Sequence, residues 1–290
     1  MNIIIRYHDD SFWYENQKEN LIQQIKWCNT HEYGPNNYNL SEIGIDDPVG
    51  IVSPHAGFLC SGPYASLSFK ALKQFAQEPD LFIIFGPNHT GEGSRYSIFP
   101  SPGSWETPLG SLSIDKDVSD QIKSEISEKH NIELKYDKNA HITEHSIDNQ
   151  LPFLQYWFGS KHIVPICIMD QTYSNCVKIG ETIGEIINNQ KPNKHVLLIA
   201  SSDFTHYVRH EKAKEQDLEV IKYLEKMDLE TANQIKRQKN VSACGFGPII
   251  SLLSAAKKLG KTKSKCLAYG TSGMTCSSKN QVVGYASLIV

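Results

Sequence analysis

The chain has 290 residues, of which 40% are hydrophobic and 21% charged, and these are ordinary values for a globular domain. Its formal net charge of −3 gives no basic surface of the kind that binds nucleic acid, so no nucleic-acid partner is expected. No apolar run approaches the ~20 residues that span a bilayer, and the short apolar start lacks the basic residues of a signal peptide. We therefore expect no membrane insertion.

From residue 50 onward, strand-like and helix-like segments alternate, which predicts a layered α/β domain. The predicted strands cover 50–53, 81–85, 96–99, 163–169, 195–201, 267–269 and 282–290. The predicted helices cover 64–75, 118–126, 146–157, 177–187, 211–226, 229–238 and 247–259, with a kink or break at Pro152. The stretch 90–108 is rich in Gly, Ser and Pro and is interpreted as mostly loop. Without a repeat or a linker-like stretch, a single domain over residues 1–290 is expected.

The cysteines show no pattern typical of a metal finger or a disulfide framework. Their positions are Cys28, Cys60, Cys167, Cys176, Cys244, Cys266 and Cys276. The number is odd and no C-x-x-C pair occurs, so neither a four-cysteine zinc site nor a full set of disulfides is expected. We expect most of these thiols to be small core residues of a protein in a reducing compartment, the cytoplasm.

Three predicted strands end in a segment that carries a histidine, namely His55, His89 and His206. Ligands of open α/β sheets bind beyond the carboxyl ends of the strands, so parallel strands would bring these histidines to one edge. Neutral imidazole binds metals and also serves as a general base. A single histidine after a strand is more often a hydrogen-bonded loop residue. It is the shared placement that favours a metal-binding pocket.

Cys244 and Asp203 are further candidates for this pocket. Cys244 lies just before the predicted helix 247–259, where the helix dipole would lower a thiol pKa. A thiolate with two imidazoles suits iron or copper and can also hold zinc. The alternative for Cys244 is a buried free cysteine at a helix start. Asp203 could orient an imidazole or cap the turn that follows it.

Two other segments have both a structural and a functional interpretation. Glu144-His145-Ser146 opens a predicted helix, either as a capping sequence with Ser146 at the N-cap or as part of the pocket. Trp13 has a loop context in which it could line a cleft or simply pack against the surface. The residues themselves leave these alternatives open.

Motifs distributed along the chain resemble those of the Memo family. In chain order they are Trp13-Tyr14, Pro54-His55-Ala56-Gly57-Phe58, Gly86-Pro87-Asn88-His89, Thr107-Pro108-Leu109-Gly110, Glu144-His145-Ser146-Ile147 with Leu151-Pro152-Phe153, Ser201-Ser202-Asp203-Phe204-Thr205-His206, and Cys244-Gly245 with Pro248-Ile249. These blocks follow one another in family order over nearly the whole chain, so the resemblance is specific to this family.

The resemblance implies the fold of class III extradiol dioxygenases, a layered α/β sandwich whose central, mostly parallel sheet is flanked by helices. Those enzymes hold Fe(II) with two histidines and a carboxylate. Carried over, His55 and His89 are the histidine ligands and Cys244 stands in place of the carboxylate. His206, with Asp203 nearby, corresponds to the acid–base residue or completes the coordination. Because a cysteine replaces the carboxylate, dioxygenase activity does not follow from the resemblance.

The resemblance implies two functional hypotheses. The first is a metal-binding protein of redox character that holds iron or copper, as in a metal-dependent oxidoreductase. The second is a non-enzymatic module that binds a peptide or phosphotyrosine peptide through Trp13, Glu144 and His145, because animal Memo proteins are associated with cell motility and receptor tyrosine kinase signalling. The segment Thr271-Ser272-Gly273 resembles microbial relatives more than animal ones. A third hypothesis from the residues is a hydrolase in which His206 activates Cys244.

Overall fold

The structure is a computed structural model that describes residues 3–6, 12–190 and 194–290. Its strands are β1 (Ile3–Arg6), β2 (Gly50–Ser53), β3 (Leu81–Pro87), β4 (Tyr96–Ile98), β5 (Gly103–Thr107), β6 (Gly110–Ser113), β7 (Leu134–Tyr136), β8 (His162–Ile168), β9 (Val196–Ser201), β10 (His206–Val208), β11 (Lys265–Thr271) and β12 (Val282–Ile289). Its helices are α1 (Lys18–Thr30), α2 (Phe58–Phe75), α3 (Lys116–His130), α4 (Asn139–Ile142), α5 (His145–Asp148), α6 (Leu151–Phe158), α7 (Tyr173–Gln190), α8 (His210–Glu225), α9 (Leu229–Gln238), α10 (Phe246–Lys258) and α11 (Ser272–Thr275), with short 3-10 turns at Pro35–Asn37 and Leu40–Glu42.

The main sheet has the strand order β10-β12-β2-β9-β3-β8-β4-β7, with β11 paired to β12. Its four central strands, β2, β9, β3 and β8, are parallel, whereas antiparallel pairs lie toward the margins. The central strands are almost continuously apolar and buried, as expected for parallel strands that are covered on both faces. The expected layered α/β sandwich with a mostly parallel central sheet flanked by helices is confirmed.

Helices cover both faces of this sheet and give the core two layers. Side chains alternate across each strand, so Ile83 and Phe85 of β3 enter one layer and Phe82 and Ile84 enter the other. The first layer is closed by α3, α7, α8 and α10, and the second by α1, α2 and α6. None of the helices in the described parts of the chain has the length and apolar character needed to cross a bilayer.

Most predicted elements are present, with ends that differ by a few residues. The helix Leu229–Gln238 has the predicted bounds, and the predicted helix 146–157 is broken into α5 and α6 just before Pro152. The loop prediction for 90–108 is wrong in its second part. There β5 pairs with β1 in parallel and with β6 in antiparallel fashion, so a non-local partner overrides the turn-rich composition.

One disulfide bond joins Cys60 on α2 to Cys276 just after α11, across 216 positions of sequence. A pairing over that separation leaves no spacing signal in the sequence. The described residues also include five free cysteines, three of them buried, in line with the expected core role. Disulfides are uncommon in a reducing cytosol, so this bond does not support the expected cytoplasmic location, which stays a prediction.

His141 is a buried polar group that the core does not satisfy. The side chain is 1% exposed and packs edge-on against Phe99 and Trp105. Neither ring nitrogen has a hydrogen-bond partner. Burial lowers the pKa of His141 to about 4, so the ring is neutral at neutral pH.

Replacing His141 with leucine should remove part of the acid sensitivity of the fold. Between the ordinary histidine pKa of about 6.5 and the folded value of about 4, the unfolded chain binds a proton that the folded chain does not. The free energy of unfolding of the wild type therefore decreases as the pH is lowered through this window, by up to about 1.4 kcal/mol per pH unit from this group. Denaturant unfolding at pH 7 and pH 4.5 measures the effect, with exposed His162→Leu as the control. If H141L and wild type lost the same free energy of unfolding between pH 7 and pH 4.5, this account would be contradicted.

Candidate metal centre

The carboxyl ends of β2, β9 and β3 lie side by side at one edge of the sheet, because these three neighbouring strands run parallel. His55 follows β2 and His89 follows β3. The segment after β9 carries Asp203 and continues to His206, the first residue of β10. The parallel arrangement on which the sequence interpretation depended is therefore present.

Ligand atoms of His55, His89 and Cys244 come within 4.8 Å of one another. His55 Nε2 lies 3.2 Å from Cys244 Sγ. The rings of His55 and His89 are nearly perpendicular, with centroids 5.2 Å apart. His55 is buried, whereas His89 is partly open to solvent. The structure thus brings together the three residues that the sequence singled out as metal ligands.

The hydrogen-bond network around His55 fixes its tautomer. His55 Nδ1 lies 2.8 Å from Ser201 Oγ, whose hydroxyl donates to the carbonyl of Ser146 at 2.6 Å. Ser201 Oγ also accepts a hydrogen bond from Gln150 Nε2. Since Ser201 has a single hydroxyl proton, His55 Nδ1 must donate, and Nε2 keeps its lone pair toward the thiol. Burial and the neighbouring histidines lower the pKa of His55, which keeps the ring neutral.

Glu144 orients His89 in the same way. Its carboxylate accepts a hydrogen bond from His89 Nδ1 at 2.8 Å and another from the His89 backbone N–H. Burial acts to raise the pKa of Glu144, but the hydrogen bonds and charge of His89 outweigh it and lower the pKa to about 2. An ionised carboxylate only accepts hydrogen bonds, so His89 Nδ1 carries a proton, and in the neutral ring Nε2 is left as a donor atom for a metal.

Glu144 also accepts a hydrogen bond from Ser146 N at 2.9 Å and is the N-cap of α5. The prediction that Ser146 is the cap is therefore wrong. The Ser146 hydroxyl instead donates to the carbonyl of Pro87. Because both oxygens of Glu144 are engaged by His89 and the helix start, its place in the structure is that of a support for His89.

The expectation of a low thiol pKa at Cys244 is wrong for the protein without a bound cation. Burial and the nearby Asp203 carboxylate raise the pKa of Cys244, and this outweighs the effect of α10, which begins only at Phe246. A thiolate at this position therefore needs a compensating positive charge. A bound metal ion provides one.

Asp203 connects two of the candidate ligands. Asp203 Oδ1 accepts a hydrogen bond from the His55 backbone N–H at 2.8 Å, and the Asp203 backbone N–H points to Cys244 Sγ at 3.3 Å. Burial raises the pKa of Asp203. The predicted support of an imidazole by this carboxylate is thus realised through the histidine backbone and not through a ring nitrogen.

His206 lies beside the three-residue cluster but is not one of its members. It is close enough for its charge to contribute to the low pKa of His55. Its Nδ1 is 3.2 Å from the carbonyl of Ser242, and its backbone N–H donates to Ser242 Oγ. The irregular pairing of β10 with β12 between His206 and Val208 accompanies this displacement.

His145 and Trp13 form one wall of the pocket. The Trp13 and His145 rings stack with centroids 3.9 Å apart and an interplanar angle of 5°. His145 stacks in turn on His89, at 4.6 Å and 24°. His89, Glu144 and His145 are also close enough to form a second group that could hold a cation. The sequence indicates all of these residues as candidates for the pocket, but it does not predict that their rings stack.

The sequence model described as Memo-like protein matches residues 11–289. The chain belongs to the Memo-like family. A MEMO1 family protein of Pyrobaculum aerophilum is 39% identical over 278 residues, covering 96% of this chain and 95% of the relative. A MEMO1 family protein of Saccharolobus islandicus is 41% identical over 279 residues, covering 94% of each. One of Methanocaldococcus jannaschii is 38% identical over 286 residues, covering 96% of each.

Among solved structures, an uncharacterized protein from Escherichia coli K12 is similar, with a TM-score of 0.55. The match covers 78% of this chain and 92% of that chain at 12% sequence identity. At this identity the likeness supports the fold alone.

Replacing Ser201 with alanine should allow His55 to populate both neutral tautomers. His55 Nδ1 and Gln150 Nε2 would lose their shared acceptor, and we expect the free energy of unfolding to fall by about 1–3 kcal/mol. Imidazole ¹⁵N NMR of the metal-free protein should show a single Nδ1-protonated form in wild type and a mixture in the variant. The control is Ser254→Ala, which removes a buried hydroxyl that has no partner. A single Nδ1-protonated form in S201A would show that the network does not set the tautomer.

Proposed function

We propose that this chain is a metal-binding protein of redox character that holds iron or copper through His55, His89 and Cys244. The observation that carries the proposal is the convergence of two imidazole nitrogens and one thiol within 4.8 Å at the carboxyl edge of a parallel sheet. Membership of the Memo-like family agrees with it, because each of the three residues lies in a motif that resembles that family.

The donor set fits a metal ion on three grounds. Both imidazoles have Nδ1 held by a hydrogen-bond acceptor, which is the arrangement typical of metal-bound histidines. The thiol has a raised pKa that a bound cation would counter. Imidazole and thiolate together suit iron and copper, and zinc accepts the same donors.

The residues around the ligands have distinct tasks in this proposal. When bound, the metal supplies a Lewis acid and a one-electron couple. His206 serves as the acid–base group, since its Nδ1 donates to the Ser242 carbonyl and Nε2 is left to take up and release a proton. Asp203 holds His55 and Cys244 in their relative positions through the two backbone contacts described above.

Loss of either a histidine or the thiol ligand should abolish stoichiometric metal binding. We expect His55→Ala and Cys244→Ser to weaken iron and copper affinity by more than the roughly 10–100-fold that loss of an outer hydrogen-bond partner costs. Elemental analysis of anaerobically purified protein and competition with a chelator measure this. The matched controls are His162→Ala, at the amino end of β8, and Cys266→Ser, a free cysteine on β11. Unchanged stoichiometric iron or copper in both ligand variants would overturn the assignment.

A peptide-binding role for the same cleft is the second candidate, and one observation favours it. Phe12 is 71% exposed and packs edge-on against Trp13, which stacks on His145. A phosphotyrosine peptide held by Trp13 and His145, in a signalling role, would need no metal. Calorimetric titration with such a peptide before and after chelator treatment separates the two functions. Peptide binding that survives chelation and is lost in Trp13→Ala would support the peptide-binding role. If the peptide does not bind at all, this role is excluded.

A further inference from the structure

Three aromatic rings form a continuous stack that leads from the partly exposed Trp13 to His89, a candidate metal ligand. The Trp13–His145 pair, at 3.9 Å and 5°, is closer than the 4.5–7 Å that is usual for aromatic pairs. The next step, from His145 to His89, is 4.6 Å between ring centroids. The rings are therefore stacked at both steps, and the far end of the stack is the partly exposed imidazole of His89, whose Nε2 is available to a metal.

The Trp13 end of the stack is held in place by contacts that do not involve the rings. The carbonyl of Trp13 accepts a hydrogen bond from Phe58 N at 2.8 Å. The next residue, Tyr14, donates its hydroxyl to Asp148 Oδ2 on α5, the helix that begins with His145. At Gly57, a side-chain carbon would approach the Phe12 carbonyl to 3.3 Å, so glycine permits this close packing. The stack is fixed from both the α2 and the α5 sides.

We propose that the Trp13–His145–His89 stack is an electron path between the metal held by His89 and a small one-electron acceptor or donor that reaches Trp13. This inference rests on the proposed redox function and adds the route by which the electron travels. Indole is the most readily oxidised of the three rings, and Trp13 is partly exposed, so a small molecule in solution can reach it. Stacked π systems couple electronically better than the saturated side chains around them.

The electron balance of the path is simple. In the oxidising direction, one electron leaves ferrous iron, which becomes ferric, and the same electron passes along the stack and reduces the external acceptor. No bond forms or breaks, and each ring returns to its starting state. Ferricyanide serves as a probe of the acceptor class, because it is a small one-electron oxidant that does not need to enter the pocket.

The test is a stopped-flow measurement of iron oxidation by ferricyanide in anaerobic, iron-loaded protein. Trp13→Leu and His145→Leu break the stack at two independent points, and each should slow oxidation severalfold when the proteins are compared at equal iron loading. The control is Trp27→Leu, which removes another partly exposed indole, one that lies on α1 and packs edge-on against His31. Flash oxidation adds a second readout: the indole radical of Trp13 should decay faster in iron-loaded than in metal-free protein.

The sign of the change separates an electron path from a lid. If Trp13 only covers the pocket, its removal exposes the ion and oxidation becomes faster. The inference would be overturned by an unchanged or faster rate of iron oxidation in Trp13→Leu and His145→Leu. It would also be overturned if the lifetime of the indole radical were the same with and without iron. Either result would leave the proposed function standing. If the wild-type protein does not bind iron, the measurement of iron affinity shows this before any kinetic experiment. In that case both the proposed function and the electron path are wrong.

Discussion

The hydrogen bond between His55 Nδ1 and Ser201 Oγ connects the register of the central sheet to the chemistry of the pocket. Ser201 is the last residue of β9 and lies opposite Ser53, the last residue of β2, two positions before His55. The parallel pairing therefore places the acceptor where the ring emerges. A shift of one position would turn the Ser201 side chain to the other face of the sheet. The direction of the free imidazole nitrogen is thus a consequence of strand register.

The electrostatic balance of the pocket follows from this arrangement. His55 is kept neutral by burial and by its histidine neighbours, while Glu144 stays ionised against His89. The partly buried thiol of Cys244 and the buried Asp203 carboxyl both have raised pKa values. Because several electron-rich groups face one another in a poorly solvated space, a cation would stabilise the thiolate and satisfy the imidazole lone pairs at once. This preference points to a metal site over a pocket whose thiol acts as a free nucleophile.

The third hypothesis, a hydrolase, is weakened by the same geometry. The thiol of Cys244 contacts His55, whereas His206 is engaged with Ser242. A nucleophilic cysteine is normally activated by a lowered pKa or an adjacent base. Here the His55 nitrogen that faces the thiol belongs to a ring whose pKa is lowered, so it is a poor base. His55 is better suited to donating its lone pair to a metal.

The sequence was sufficient to locate the pocket because strand-end histidines obey a topological rule. His55 and His89 follow apolar runs, and once those runs are parallel neighbours the side chains must meet at one edge. The sequence could not show which residues fix the imidazole tautomers. Ser201 acts through a hydroxyl at 2.8 Å, and a serine at a strand end has many other uses. His206 also follows a strand but lies outside the cluster, and the irregular β10 pairing beside it leaves no signal in the local spacing.

Helix α1 shows a signal that was present but not used. Its buried residues Leu21, Ile25 and Cys28 follow steps of four and three, which is the helical period. The mostly polar composition around them obscured this pattern. The Cys60–Cys276 pair is a different case, because no local pattern connects two positions 216 residues apart. Local periodicity predicts elements well, whereas pairings between distant segments depend on the assembled fold.

The most direct test of the central claim is X-ray absorption spectroscopy at the metal edge of protein loaded with iron or copper. A metal held by His55, His89 and Cys244 should show two imidazole nitrogens and one sulfur in its first coordination sphere. The sulfur contribution should disappear in Cys244→Ser and persist in Cys266→Ser. A spectrum with only nitrogen and oxygen neighbours in the wild-type protein would contradict the account, because the thiol would then have no part in the site.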